Sequence, residues 1–185
     1  MTKTALVLLF NNTEEIEALA PIDILRRADV SVTTASISDS LEIVGRSNIS
    51  IRAEKLFDDV AEDTFDAIVL PGGAGVYDIL KMPADKIEKI KSFIKRHIDS
   101  GKISASICAA PYIFEKLDLL SGRKCTGHIS VEDNLPNCQK DKVVIDGNII
   151  TSRGAGTAIE FALAITQALV GESVADQVST SICLK

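Results

Sequence analysis

The chain has no tryptophan, only two histidines and no run of basic residues in its 185 positions. Each shortage excludes a class of function. His97 and His128 are the only imidazoles, and Cys108, Cys125, Cys138 and Cys183 are spaced as neither a Cys-x-x-Cys redox pair nor a zinc pattern. No metal is therefore expected. The formal charge of −6, with Lys and Arg scattered among acids, gives no electrostatic footing for nucleic acid. The apolar stretch within residues 1–10 is too short to span a membrane. It also lacks the longer apolar region and small-residue cleavage site of a signal peptide, and reads as a first buried strand. A cytoplasmic location with free thiols is the expectation. Internal repeats, low-complexity tracts and linkers are absent as well, so one domain over 1–185 is expected, large enough for a real core.

What is present alternates between apolar strands and amphipathic helices. Residues 4–10 read as a strand. Residues 14–28 read as a helix with Ile16, Leu19, Ile22 and Leu25 at inward spacing, kinked or divided at Pro21. With a second strand at 30–37 these make a βαβ unit. Residues 41–52 alternate around Gly45 as a hairpin. Residues 65–70 form a strongly apolar central strand that stops at Pro71-Gly72-Gly73-Ala74-Gly75. The 84–100 segment is a helix with Ile87, Ile90, Ile94 and Ile98 inward and Gly101 as its cap. A strand turning into a helix occupies 103–118, an irregular stretch 121–142, a hairpin around Asp146-Gly147 the next ten residues, and two helices the remainder. This alternation predicts an α/β fold, a doubly wound sandwich with a mainly parallel sheet and helices on both faces. Ligands of such folds sit at the carboxyl ends of the strands.

That rule selects three loops. In Ile103-Ser104-Ala105-Ser106-Ile107-Cys108-Ala109-Ala110-Pro111, small residues crowd a strand-to-helix corner and leave Cys108 at the junction. A thiol at a helix N-terminus loses its proton more easily, which makes Cys108 a candidate nucleophile; a small buried hydrophobe is the alternative. Gly72 and Gly73, with Ala109, offer backbone N–H groups for an oxyanion, or simply a tight loop that needs glycine. No Gly-Lys-Ser/Thr follows, so the loop is not a phosphate cradle. Among Glu14, Glu15 and Glu17, acids in a first helical turn usually meet the dipole and water, but a carboxyl pressed against a thiolate in a dry pocket would be raised and would share its proton. His128, twenty residues past Cys108, is a candidate base or a surface residue. His97 lies in a lysine-rich helix and is read as exposed. Arg46 and Arg153, in turn-like settings, suit a carboxylate or phosphate at a substrate rim, or structural ion pairs.

The motifs Glu15-Ile16-Glu17-Ala18, Pro21-Ile22-Asp23-Ile24-Leu25, Leu70-Pro71-Gly72-Gly73, Ile107-Cys108-Ala109-Ala110-Pro111 and Thr151-Ser152-Arg153-Gly154-Ala155-Gly156-Thr157 occur in this order along nearly the whole chain. In these the chain resembles the ThiJ/PfpI superfamily, in the branch of the Parkinson-disease protein deglycase. The resemblance implies a flavodoxin-like sandwich, a homodimer, no cofactor, Cys108 as elbow nucleophile and redox-sensitive thiol, Glu17 as its protonated partner, His128 as base and Gly72 and Gly73 at the oxyanion position. It implies glutathione-independent conversion of methylglyoxal, a 2-oxoaldehyde, to lactate, and action on glycated adducts; oxidation sensing and chaperoning are the alternative. Two departures stand out. Ala110 replaces a common glycine and is expected to narrow the pocket floor, and Ile129 replaces a common proline after the histidine. A peptidase or amidotransferase is disfavoured because Ala109, not histidine, follows the nucleophile. Thiazole monophosphate biosynthesis, an older label for such chains, has no site support.

Overall fold

The structure, a computed structural model, describes residues 2–184. Among the described residues nine strands and seven α-helices follow one another: β1 (Thr4–Leu9), α1 (Glu15–Arg27), β2 (Ser31–Ser36), β3 (Glu42–Val44), β4 (Ser50–Arg52), β5 (Lys55–Leu56), α2 (Phe57–Val60), β6 (Ala67–Leu70), α3 (Val76–Ile79), α4 (Ala84–Asp99), β7 (Ile103–Ile107), α5 (Pro111–Lys116), β8 (Val143–Asp146), β9 (Ile149–Ser152), α6 (Ala158–Val170) and α7 (Glu172–Ser181). Seven strands form one sheet in the order β5-β2-β1-β6-β7-β9-β8, and β3 pairs with β4 as a separate hairpin. All neighbours in the large sheet are parallel except β8 and β9, the hairpin that turns at Gly147.

Period-two alternation splits the apolar side chains into two cores, one on each face of the sheet. Leu6 and Leu8 of β1 pack with Phe57, Phe93, Ile94 and Phe114 on one face, whereas Ala5, Val7 and Leu9 pack with Ile24, Leu25, Phe161 and Ile165 on the other. The parallel run β2-β1-β6-β7-β9 is the doubly wound order with its reversal at β1. Because β1, β6 and β7 are neighbours, the loops leaving their carboxyl ends lie side by side. Those loops are the three selected from the sequence.

Four expectations are corrected. Helix α1 is not divided at Pro21, whose missing N–H leaves the Glu17 carbonyl without its helical donor. Its face is rotated: Ile16 and Leu19 are exposed, whereas Glu15, Glu17, Ala18, Pro21, Ile24 and Leu25 are buried. The elbow helix α5 is only six residues long and begins three residues past Cys108. His97 is buried rather than exposed: Nε2 accepts from the Phe65 N–H (3.1 Å) and Nδ1 donates to the Phe93 carbonyl (2.8 Å). Short β5, α2 and α3 lie in stretches with no clear period.

Candidate active site

Cys108 follows β7 directly, in the left-handed region at φ 64°. That backbone is costly for a residue with a Cβ, so the surroundings must hold it. Two hydrogen bonds do so: the Cys108 N–H donates to the Ser152 carbonyl (3.0 Å), and its carbonyl accepts from the His128 N–H (2.8 Å). The first couples the corner to β9 and the second ties the irregular segment to it.

Glu17, in the first turn of α1, is fully buried. Its Oε2 accepts from the Gly72 N–H (2.9 Å). Among the described residues Oε1 has no hydrogen-bond partner, and the Cys108 thiol is near enough to the carboxyl to influence its ionisation. A methyl placed on Gly154 would lie 3.7 Å from Glu17 Oε1, 3.9 Å from Cys108 Sγ and 3.6 Å from His128 Cδ2, so the three side chains converge there. Gly72 is required by close approach: a Cβ on it would stand 2.6 Å from the Cys108 Cβ and 2.7 Å from Glu17 Oε2.

Burial pushes the Glu17 carboxyl up to about 7, against the hydrogen bonds from Cys108 and Gly72. Burial, then the Glu17 charge and hydrogen bond, push the Cys108 thiol up to about 12, while the Ala109 and Gly73 N–H groups pull the other way. The thiol is thus raised by burial and Glu17 rather than lowered as expected, and six-residue α5, which begins three residues on, supplies little dipole to oppose them. The pair therefore loses one proton near neutrality and keeps the other. Protonation of Glu17 removes the charge that opposes a thiolate and leaves a donor beside the sulfur.

The remaining candidates divide. The Gly72 N–H is taken by Glu17 and cannot serve an oxyanion, which corrects that expectation; Gly73, at φ 111°, and Ala109 present theirs to the sulfur. Arg46 reaches the cleft, where its Nη1 pairs with Glu14 Oε2 at 2.9 Å. Arg153 does not line that cleft. It bonds the Lys140 carbonyl (3.3 Å) and faces Glu132 (3.6 Å), beside a neighbouring hollow. Ala110 is fully buried in the core and forms no part of the cleft floor, against expectation. His128 is exposed at the cleft edge, and Ser130 holds its ring: the Ser130 N–H donates to Nδ1 (3.2 Å) and Oγ lies 2.9 Å from the same atom.

The cleft measures about 380 Å³, room for a small molecule, and opens above Cys108, Glu17 and Gly73. Glu14, Tyr77 and Ser130 also line it and were not singled out from the sequence. Glu14 was recognisable only as one of three first-turn acids, and Tyr77 carried no signal. Among the described residues no group of three His, Cys, Asp or Glu side chains is arranged to hold a metal, and no helix is long and apolar enough to cross a membrane.

Comparison with known proteins gives the family of a chain with this fold and cleft. The profile of the DJ-1/PfpI family matches residues 3–168. The chain belongs to that family. Protein DJ-1 homolog A of Arabidopsis thaliana is 42% identical over 179 residues, 95% of this chain, which spans 45% of that relative's length. The glutathione-independent glyoxalase DJR-1.2 of Caenorhabditis elegans is 32% identical, over 98% of this chain and 97% of its own. Among solved DJ-1 structures, that of Drosophila melanogaster DJ-1beta superposes with a TM-score of 0.92 at 34% identity, over 99% of this chain and 98% of its own.

Proposed function

We propose that this DJ-1/PfpI protein is a cysteine-dependent, glutathione-independent glyoxalase that converts methylglyoxal to lactate and acts on its early adducts. The observation that carries the reading is the buried Glu17 carboxyl, whose Oε1 has no hydrogen-bond partner among the described residues, beside Cys108 in one open cleft. The name of the Caenorhabditis elegans relative supports it.

The chemistry follows from the pair. Glu17 takes the thiol proton, and the Cys108 sulfur attacks the aldehyde carbon to form a hemithioacetal. The Gly73 and Ala109 N–H groups stabilise the new oxyanion, which recovers the proton from Glu17. Glu17, ionised again, removes the hydrogen on the former aldehyde carbon as a proton and returns it to the neighbouring carbon, while the hydroxyl proton passes to the second oxygen. Two electrons thus move from one substrate carbon to the next, leaving a thioester of lactate. Water adds to the thioester, the carbon–sulfur bond breaks, and lactate and free thiol are released. No external oxidant, reductant or cofactor enters.

Purified Cys108→Ser protein should lose lactate formation from methylglyoxal, without glutathione, by about a thousandfold or more, with unchanged circular dichroism. Retained turnover in a folded variant would sink the mechanism. A second reading rests on the same pair: a neutral Glu17 carboxyl beside the sulfur would donate to a sulfinate oxygen, making Cys108 a peroxide sensor. Oxidation of Cys108 at low peroxide, seen by intact mass, with negligible turnover would favour it. The homodimer belongs to this proposal. The exposed apolar side chains of Ile16 and Leu19 on α1, with Val44 and Ile49 of the β3–β4 hairpin, support it. A one-copy mass at sedimentation equilibrium would refute it.

A further inference from the structure

The two imidazoles of this chain are held by opposite ring atoms. At His97 the Phe93 carbonyl can only accept, so Nδ1 carries the proton, and Nε2 accepts from the Phe65 N–H. At His128 the Ser130 N–H can only donate, so Nδ1 is the acceptor, and the proton of the neutral ring sits on Nε2. The Ser130 hydroxyl, 2.9 Å from the same Nδ1, adds a second donor to that lone pair. A proton on Nδ1 would point into the Ser130 N–H. The turn that makes this contact is fixed on both sides: the His128 N–H donates to the Cys108 carbonyl (2.8 Å), and the His128 carbonyl accepts from Val131 (2.9 Å) and Glu132 (3.1 Å). Among the described residues Nε2 has no protein partner, and Cδ2, the carbon bonded to it, is the ring atom nearest the space beside Gly154 that Cys108 and Glu17 also border.

We infer that Ser130 is a positioning residue that locks His128 as its Nε2–H tautomer, so that His128 serves the reaction as a hydrogen-bond donor and not as the base. The inference rests on the glyoxalase reading for what Nε2–H meets, the oxygen on the second carbon of a 2-oxoaldehyde. A hydrogen bond there steadies the enediolate formed when Glu17 takes the proton from the first carbon. It leaves Glu17 as the one base of the site and replaces the role expected for His128 from family resemblance. Balance is kept, because His128 gives up no proton in the cycle.

The tautomer is read without any activity, which separates this inference from the one beneath it. In protein labelled with nitrogen-15 at histidine there are only two rings to assign, and two-bond proton–nitrogen correlations of the neutral rings should show His97 as Nδ1–H and His128 as Nε2–H. A His128 ring in the His97 pattern overturns the inference. Ser130→Ala removes the hydroxyl but keeps the backbone N–H, so it should shift the His128 Nδ1 resonance while leaving the Nε2–H tautomer in place; Ser130→Pro, which removes the N–H, should move the ring nitrogens toward the average of the two tautomers and lower kcat about tenfold with KM unchanged. Unchanged shifts and rate would remove Ser130 from the site. Finally, His128→Gln keeps a donor near the Nε2 position but cannot act as a base. It should retain at least about tenfold more lactate formation than His128→Ala. Equal, low rates for the two variants would restore His128 as the base. If instead wild-type protein makes no lactate while the tautomers are as stated, the glyoxalase reading fails and the ring assignment stands.

Discussion

Glu15 and Glu17 stand two residues apart on α1, both buried, yet their carboxyls shift in opposite directions. Burial disfavours the charge of each. At Glu15 it is outweighed by hydrogen bonds, chiefly backbone donors of Glu15, Ser47 and Ile49, with Ser47 N–H only 2.7 Å from Oε1, and the carboxyl is held below its ordinary value. At Glu17 burial wins, because Gly72 supplies the one backbone donor and the other oxygen has no hydrogen-bond partner among the described residues. The β3–β4 loop solvates one carboxylate with its backbone; the glycine turn after β6 solvates half of the other. The first is an anchor for the loop that brings Arg46 to the cleft. The second is poised to trade a proton near neutrality, the property a general base needs.

The comparison predicts that the two glutamines behave oppositely. Glu17→Gln, which keeps shape but removes the base, should lower kcat/KM for methylglyoxal by about a hundredfold to ten-thousandfold. In wild type, kcat/KM should rise as pH passes about 7, where Glu17 ionises, and that limb should vanish in the variant. Stability moves the other way. A folded pKa raised from 4.5 to about 7 means stability that is present below 4.5 and lost as pH rises through 7. At about pH 8 the variant should therefore be more stable than wild type by up to roughly 3 kcal/mol in urea unfolding, and near about pH 4.5 the two should coincide. An unchanged midpoint at the higher pH breaks the comparison. Glu15→Gln should instead destabilise by about 1 kcal/mol at neutral pH, since the Ser47 donor then meets a neutral oxygen. A stabilised Glu15→Gln protein would mean that burial rules both sites.

These two acids also mark where sequence reasoning stopped. The sheet was legible because β1, β6 and β7 are apolar runs closed by turn residues, and the rule about strand ends then brought Asn11–Glu17, Gly72–Gly73 and Cys108 together. The corner was legible through Ser104, Ala105, Ser106, Ala109 and Ala110, small because a strand folds back there; the positive φ of Cys108 had no local sign, since it comes from the bonds to Ser152 and His128 far along the chain. Helix α1 misled for a physical reason. Its apolar Ile16 and Leu19 fit an inward stripe, but the N-terminal turn lies beyond the sheet edge, where the glycine turn and the hairpin loop receive the acids and the apolar residues are left outside. Only the resemblance, not the spacing, singled out Glu17. The pairing of Gly72 with Glu17, and of Ser130 with His128, depends on which way one N–H points, which no spacing records.

His97 offers the smallest and sharpest test of the same balance. Its ring is buried and neutral, with both nitrogens satisfied by backbone, and burial first among the causes lowers its pKa below 6.5. A base lowered in the folded state is protonated earlier in the unfolded chain, so stability is present above 6.5 and is lost as pH falls through the folded value. Glu17 acts in the opposite sense across an overlapping window, gaining stability as pH falls from about 7 toward 4.5. In wild type the two act against one another. The lowered carboxyls, Glu15, Asp58, Asp66, Glu132, Asp146 and Glu160, start from 4.5 or 3.8 and contribute only at lower pH. Glu17→Gln should therefore unmask His97: its urea midpoint should fall as pH is lowered from about 7 to about 5, while wild type changes less or rises. If the variant stays flat across that interval, the buried imidazole is not resisting protonation, and the opposition between a carboxyl and an imidazole buried in one fold does not hold.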